Sequence, residues 1–185
     1  MLRRIKTLLF QFWCKIRFYG HPVEYARYLG VRIGEDCVIY PDPKNLFSTE
    51  PFLITIGNHV MITNGVKFLT HDGAAFTLAY RHDKNHKKYF DIWGPISIGN
   101  NVYIGTNALI LSNVTVCDNV IIAAGAVVSK DIDEDGVWAG VPAKRIKSFA
   151  EYKENANLEL VDNSGLSFLQ RKEKYKALHP EWFSQ

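Results

Sequence analysis

Large aliphatic or aromatic residues recur at every sixth position in two stretches of the chain. The recurring positions are Ile56, Ile62, Phe68, Ile98, Ile104, Ile110, Val116, Ile122 and Val128. A small or β-branched residue precedes many of them by two positions, as at Val102, Ala108, Val114 and Val120. A period of six does not match the 3.6-residue turn of an α-helix. It matches short strands whose alternate side chains point inward.

Three such strands make a triangular coil of about eighteen residues, and stacked coils bury each other's apolar layers. Gly and Asn cluster after the aliphatic position, where the chain turns a corner and often needs a positive φ. The repeat therefore predicts a mainly β protein built as a parallel β-helix of about five coils. Periodicity alone does not fix the hand of the helix. A β-sandwich is disfavoured, because its strands vary in length and spacing.

Three segments flank or interrupt the repeat and define the predicted domains. Residues 1–30 are predicted to form an N-terminal helical cap, with one helix starting at Pro22 and ending near Gly30. The β-helix is predicted over 31–147, with a long loop inserted at 72–95. Residues 148–185 are predicted to form a C-terminal helical tail that includes a helix at 168–178.

The basic, apolar segment 1–19 has two interpretations. Its favoured role is to cover an open end of the β-helix or to pack at a subunit contact, because exposed sheet edges need covering. Alternatively, its Trp, Phe, Lys and Arg residues make weak contact with an anionic membrane surface.

Composition indicates a globular protein, with 47% hydrophobic and 22% charged residues. The net charge of +3 is spread along the chain, so no nucleic-acid partner is expected. Three widely spaced cysteines indicate no disulfide framework, and no apolar run is long enough to span a membrane. A cytoplasmic protein is expected, with peripheral contact to the inner membrane surface if segment 1–19 binds lipid.

Several segments together resemble the hexapeptide-repeat O-acetyltransferases. They are VKFLTHDG (66–73), WGPISIGNNVYIGTNALIL (93–111), VTVCDNVIIAAGAVVSKDI (114–132) and AGVPAKRIK (139–147). The resemblance covers roughly residues 22–147 and extends to the branch that acetylates capsular, exopolysaccharide or lipopolysaccharide sugars, which is related to maltose and galactoside acetyltransferases. It implies a left-handed β-helix, a homotrimer, acetyl-CoA as donor and a sugar or glycan acceptor.

His71 is the candidate catalytic base. It lies three positions after Phe68, at a predicted corner where the inserted loop begins. A sugar hydroxyl is a poor nucleophile until a base takes its proton, and imidazole is largely unprotonated at neutral pH. The position matches the catalytic histidine of the family, which deprotonates the hydroxyl for direct attack on the thioester. No activated Ser or Cys is expected near the motif, so no covalent enzyme intermediate is predicted.

Asp72 and Trp93 are candidate substrate-binding residues. Asp72 either orients the imidazole, binds the acceptor or caps the loop. Trp93, together with Phe76, Tyr80, Tyr89 and Phe90, offers flat apolar faces to a sugar ring. Packing of these aromatic residues between the loop and the coil is the alternative.

The resemblance places the acetyl-CoA contacts on the C-terminal coils. Thr106 matches a position that contacts the pantetheine arm, and Ala124 leaves room for that arm to approach the backbone. The positions that meet the nucleotide phosphates are matched by Ser129, Lys130, Lys144 and Lys147. Lysine suits this role because its ammonium group acts as a point charge for phosphate.

Two other functions and a metal site are alternatives to this hypothesis. An N-acetyltransferase acting on an amino-sugar nucleotide shares the fold, and a non-catalytic β-helix scaffold belongs to a different class. A zinc site is disfavoured, because His59 and His71 are twelve residues apart and the only close pair is His82 and His86. No metal is therefore predicted.

Overall fold

The computed structural model describes residues 12–14, 16–77, 91–157 and 160–184. Its strands build three parallel sheets that form the faces of a triangular coil. Sheet 1 contains β1 (Arg32–Ile33), β3 (Ile54–Ile56), β8 (Ile96–Ile98) and β11 (Val114–Val116). Sheet 2 contains β2 (Val38–Ile39), β4 (Val60–Ile62), β9 (Val102–Ile104), β12 (Val120–Ile122), β14 (Gly136–Ala139) and the antiparallel β15 (Lys144–Lys147). Sheet 3 contains β5 (Lys67–Phe68), β10 (Leu109–Ile110) and β13 (Val127–Val128).

Each coil contributes in turn to sheets 1, 2 and 3. Coil 1 holds β1 and β2, coil 2 holds β3 to β5, coil 3 holds β8 to β10, coil 4 holds β11 to β13, and coil 5 holds β14. The first corner joins sheet 1 to sheet 2, and the second corner joins sheet 2 to sheet 3. The third corner joins sheet 3 to sheet 1 of the next coil.

The strand register confirms the six-residue phase on both sides of the inserted loop. Coils 2 and 3 pair through the residues that the repeat predicts, which are Ile56 with Ile98, Ile62 with Ile104 and Phe68 with Ile110. The loop therefore leaves the third corner and returns without shifting the stack.

Alternate side chains along each strand point into and out of the coil, as the period predicts. In β9, Val102 and Ile104 are 2% and 0% exposed, whereas Tyr103 between them is 40% exposed. Phe68, Ile110 and Val128 form one inward column of buried side chains. Each coil thus covers the apolar layer of its neighbour, which is what holds this fold together.

Asn residues make the corners by adopting a left-handed backbone conformation. Asn101, Asn107, Asn113 and Asn119 all have φ between 55° and 61°. The first corner also carries a side-chain ladder, in which the amide oxygen of Asn58 accepts from Glu35 N and that of Asn100 accepts from Asn58 N, at 2.8 and 2.9 Å. These side chains satisfy backbone donors that no strand partner reaches.

Helices and 3₁₀ turns occur before, within and after the repeat along the chain. They are α1 (Pro22–Leu29), α2 (Pro43–Leu46), α3 (Phe149–Asn157) and α4 (Phe168–Leu178), with 3₁₀ turns at Pro51–Leu53, Gly73–Ala75 and Pro180–Trp182. The predicted helix from Pro22 to Gly30 is confirmed, and Gly30 ends it with a φ of 106°. The predicted helix at 168–178 is confirmed as α4. None of the helices among the described residues is both long and apolar enough to cross a membrane.

The described residues fall into two compact units, one within Met1–Tyr152 and one within Lys153–Gln185. Before α1, residues 12–14 and 16–17 are helical. Phe18 stacks on Tyr25 of α1 with a centroid distance of 5.1 Å, and the Cys14 side chain is buried. The predicted domain limits at 30 and 147 stay predictions, as do the two interpretations of segment 1–19.

Candidate active site

The third corner of coil 2 holds His71 at the base of the inserted loop. His71 and Asp72 form a short strand, β6 (His71–Asp72), which pairs antiparallel with β7 (Ile92–Trp93). His71 lies opposite Trp93 in this pair, and its side chain is 32% exposed. The imidazole is therefore fixed by a strand pair and still accessible to a substrate.

A carboxylate from coil 1 contacts the imidazole. Glu50 Oε2 lies 2.9 Å from His71 Nδ1 and accepts a hydrogen bond of 2.7 Å from Thr70 Oγ1. The Thr49 hydroxyl donates to the other carboxylate oxygen. Thr70 is fully buried, and the Glu50 side chain is only 12% exposed. Glu50 is therefore largely buried and held in place by three hydrogen-bond donors.

The charge of Glu50 decides which nitrogen of His71 is free. Burial alone would raise the pKa of the Glu50 carboxyl, but hydrogen bonds from Thr49, Thr70 and His71 outweigh burial and lower that pKa. An ionised carboxylate only accepts hydrogen bonds, so Nδ1 carries the proton and Nε2 presents its lone pair. This is the tautomer that a general base needs.

Ser48 also contacts His71, on the side of the ring that faces Glu50. Its Oγ lies 3.2 Å from Nδ1. That nitrogen already donates its proton to Glu50, so it has no lone pair with which to deprotonate the Ser48 hydroxyl. The contact brings a serine to the site without activating it as a nucleophile.

Asp72 caps the turn that follows it. Its Oδ1 accepts a 2.8 Å hydrogen bond from Ala74 N, and its side chain is exposed. Of the three roles considered for Asp72, capping is the one seen in the structure, and the contact to the imidazole is made by Glu50 instead. The reason is the alternation of β6, which points Asp72 and His71 to opposite faces.

The aromatic side chains predicted to meet the acceptor are placed in part. Trp93 is 58% exposed beside His71, and Phe76 is 59% exposed in the first turn of the loop. Tyr80, Tyr89 and Phe90 lie outside the described residues, as do His82 and His86. Among the residues that the structure describes, no group of three or more His, Cys, Asp or Glu side chains could hold a metal ion.

Thr106 and Ala124 lie at the second corner on successive coils. Gly125 N donates to Thr106 O at 2.8 Å, and Thr106 Oγ1 lies 3.4 Å from Thr63 Oγ1 of coil 2. The coils approach closely here, since a Cβ added to Gly105 would lie 2.5 Å from Ala124 N. Thr106 and Ala124 are exposed, so the second corner presents a narrow edge of small residues.

The remaining residues predicted to contact acetyl-CoA, the acetyl donor, lie at two other places; with Thr106 and Ala124 they are the donor candidates. Ser129 and Lys130 follow β13 at the third corner of coil 4, on the same edge as His71 but two coils beyond it. Lys144 and Lys147 lie on β15, the last strand of sheet 2. The nine predicted site residues therefore do not form one cluster within a single chain.

Sheet 3 separates the two edges. The second and third corners of a coil lie at its opposite ends, and the extended chain between them spans roughly 20 Å at about 3.3 Å per residue. Thr106 and Ala124, which are exposed, are therefore remote from the partly exposed His71 of the same chain.

Glu50 is the site residue that sequence analysis missed. It lies 21 residues before His71, and the coil-to-coil spacing departs from eighteen there. A usable signal was nevertheless present. Phe47 stacks on Phe68 in parallel register, so the segments FSTE and FLTH align and place Glu50 in the same position of coil 1 as His71 in coil 2.

Comparison with known proteins agrees with this architecture. Residues 95–130 match the family model described as bacterial transferase hexapeptide (six repeats). The chain is 46% identical over 129 residues to Protein CapG of Staphylococcus aureus, covering 69% of this chain and 71% of that protein.

Two crystal structures of a hexapeptide-repeat-containing acetyltransferase from Vibrio cholerae are also similar. The first is 25% identical with a TM-score of 0.56 and covers 70% of this chain and 80% of that chain. The second, complexed with acetyl coenzyme A, is 29% identical with a TM-score of 0.47 and covers 65% and 61%. The chain belongs to the hexapeptide-repeat acetyltransferases and shares their left-handed parallel β-helix.

Proposed function

We propose that this acetyltransferase moves the acetyl group of acetyl-CoA onto a sugar hydroxyl, with His71 as the general base. The observation that carries the proposal is the pair of His71 and Glu50. A largely buried carboxylate, 2.9 Å from Nδ1, holds the proton on that nitrogen and leaves Nε2 unprotonated, on a side chain that is 32% exposed. A base in this protonation state can remove the proton of the acceptor hydroxyl as its oxygen attacks the thioester carbon.

The proposed reaction is a direct transfer. Nε2 of His71 takes the hydroxyl proton as the acceptor oxygen attacks the thioester carbonyl. The carbonyl π electrons move to oxygen, and backbone N–H groups stabilise that oxyanion. When the tetrahedral intermediate collapses, the C–S bond breaks and the imidazolium returns its proton to the departing thiolate. The products are an acetyl ester and free coenzyme A.

Glu50 acts here as a positioning residue. Its negative charge stabilises the imidazolium that forms during attack, and its hydrogen bond fixes the ring orientation. This arrangement favours an O-acetyltransferase over an N-acetyltransferase, because an amine attacks with its own lone pair and needs a base mainly afterwards. We predict that the acceptor sugar belongs to capsule, exopolysaccharide or lipopolysaccharide biosynthesis.

A homotrimer completes the proposed site. A donor lying along the second corner meets Thr106 and Ala124, but it lies about 20 Å from His71 of the same chain. In a cyclic assembly, the third corner of one subunit can lie beside the second corner of the next. The donor then occupies the cleft between subunits, with Ser129, Lys130, Lys144 and Lys147 as the candidates for its phosphates.

The function is tested by incubating the purified protein with acetyl-CoA and a panel of methyl glycosides. Thiol release should depend on a glycoside, and mass spectrometry should find one acetyl ester on the sugar. Acetyl-CoA turnover with amino sugars alone, giving an amide, would contradict the proposal.

A further inference from the structure

We infer that a cleft at coil 1 binds the acceptor as a neutral pyranose ring, an inference that rests on the function proposed above. The cleft has a volume of about 340 Å³. Among the residues that line it are Tyr19, Pro22, Tyr25, Tyr40, Pro41 and Asp42. We call it the aromatic cleft. Its volume falls at the lower end of the range for small-molecule sites, about 300–1,000 Å³.

The walls of the aromatic cleft include fixed and accessible side chains. Tyr25 is held by its stacking on Phe18, at 5.1 Å and an interplanar angle of 12°. Pro43 and Cys14 close the floor with buried side chains. Tyr40 and Tyr19 are 60% and 87% exposed at the rim. A ring entering the cleft therefore meets a preformed surface and two accessible tyrosines.

The aromatic cleft lies on the same edge of the β-helix as the donor candidates. Tyr40 N donates to Ile62 O at 3.0 Å. Tyr40 therefore occupies the same position at the second corner of coil 1 that Thr63 occupies in coil 2. Thr63 in turn contacts Thr106 of coil 3. The second corner thus runs from Tyr40 in coil 1 to Ala124 in coil 4, with about 4.8 Å between coils.

The position of His71 along the coil axis separates the acceptor site from the acetyl-CoA site. His71 belongs to coil 2, and in a cyclic trimer with parallel coil axes its equivalent in the neighbouring subunit lies at the same height. The donor candidates Thr106 and Ala124 lie on coils 3 and 4. The acceptor then approaches His71 from the coil 1 side, where the aromatic cleft lies.

The chemistry of the lining selects the class of sugar. Tyrosine and proline faces pack against the C–H face of a pyranose, and a carboxylate accepts hydrogen bonds from its hydroxyls. Asp42 is exposed, and no Lys or Arg is among the described residues that line the cleft. A uronic acid would place a second negative charge beside Asp42, and none of these described lining side chains carries a positive charge, so it is disfavoured.

The test measures binding by ligand-observed NMR with four methyl glycosides: of glucose, galactose, N-acetylglucosamine and glucuronic acid. Wild type and His71→Ala should bind at least one neutral glycoside, and Tyr40→Ala should bind it at least tenfold more weakly. Tyr103→Ala is the matched control, because Tyr103 is an exposed tyrosine on the outer face of sheet 2. It should bind like wild type.

Asp42→Asn tests the charge without removing the cap of α2. Asp42 Oδ1 accepts from Lys44 N, and an Asn side chain at that position can still accept this bond. In this variant, the ratio of the Kd for the glucuronide to the Kd for the neutral glycoside should fall at least threefold. An unchanged preference would contradict the assigned role of Asp42.

The cleft and the proposed function fail in different ways. If no neutral glycoside binds wild type, or if Tyr40→Ala binds and turns over as wild type does, the aromatic cleft is not the acceptor site. If neutral glycosides bind in a Tyr40-dependent way but are never acetylated, the cleft is a sugar site and the proposed function is wrong.

Discussion

The Glu50 carboxylate of coil 1 lies 2.9 Å from His71 Nδ1 of coil 2, at equivalent positions of successive coils. The stack itself therefore builds the pair, since any two residues at the same position of neighbouring coils are vertical neighbours. A repeat architecture that places its corners outside the core can place a base and its partner there without disturbing the apolar layers.

Replacing His71 tests its role as base. His71→Ala should lower kcat on the order of 10²- to 10⁴-fold, because general base catalysis is lost. Its circular dichroism spectrum and its affinity for acetyl-CoA should stay those of wild type. His59→Asn is a suitable control, since His59 lies at the first corner with φ of 55°, which Asn tolerates. Near-normal turnover by His71→Ala would remove the residue from the mechanism.

Glu50→Gln tests the positioning role through the tautomer of His71, read from its imidazole ¹⁵N chemical shifts. The lowered pKa of Glu50 keeps its carboxylate ionised at neutral pH, so it only accepts hydrogen bonds and holds the proton on Nδ1. The amide of Glu50→Gln can also donate, so the Nε2–H tautomer should be more populated in the variant than in wild type. The variant should also lose on the order of tenfold to a hundredfold in kcat at neutral pH.

Glu50→Asp supplies the control for that experiment. The shorter carboxylate only accepts hydrogen bonds, so the Nδ1–H tautomer of His71 should stay more populated in Glu50→Asp than in Glu50→Gln. Equal tautomer populations in all three proteins would show that Glu50 supports the fold but does not act on the imidazole.

Lys144→Glu tests the placement of the donor phosphates. Lys144 is exposed on β15, so its replacement should leave the fold intact. Reversing a charge that meets phosphate should raise the KM for acetyl-CoA roughly tenfold, with less effect on the KM for the glycoside. Lys153→Glu, an exposed lysine of α3, serves as control. A KM for acetyl-CoA that does not change would count against Lys144 as a phosphate contact.

Asn101→Ala tests the conformational basis of the corners. Asn101 has φ of 55° and donates a 2.7 Å hydrogen bond to Asn119 Oδ1 of the next coil. Ala adopts this backbone region at a cost, so the free energy of unfolding in urea should fall by about 1–2 kcal/mol. Thr115→Ala, on an outward position of β11, should change it by less than about 0.5 kcal/mol. Equal stabilities for the two variants would contradict this explanation.

The repeat made most of the fold predictable. Each coil carries the same local signals, namely an inward aliphatic residue, a small inward residue and a corner Asn or Gly. A residue that departs from the repeat at one position therefore does not obscure the phase, because the neighbouring repeats still define it. The phase across the loop followed for the same reason, because Ile56, Ile62 and Phe68 keep the register of Ile98, Ile104 and Ile110.

The candidate site was less predictable, because it depends on where the repeat is irregular. The 3₁₀ turn Pro51–Leu53 adds three residues between Glu50 and β3, so Glu50 lies 21 and not eighteen residues before His71. Asp72 is adjacent to His71 in sequence, but strand alternation turns it away, and it caps a turn instead. Adjacency in sequence was thus a poorer guide to the imidazole's partner than position in the stack.

The aromatic cleft follows from a second irregularity of coil 1. The segment between Tyr40 and Phe47 contains α2 and brings Pro41 and Asp42 next to α1, while Tyr40 keeps its place in the stack. Hexapeptide periodicity predicts the regular coils, but it does not predict the structure of a segment inserted at a corner.

A mixing experiment tests the shared site most directly. His71→Ala lacks the base, and Ala124→Trp is designed to block the donor edge at the exposed second corner. In random trimers formed by denaturing and refolding equal amounts of the two inactive variants, about one interface in four pairs an intact His71 with an intact donor edge. We expect the mixture to recover about a quarter of wild-type activity. Hybrids that form but remain as inactive as either parent would contradict a site shared between subunits.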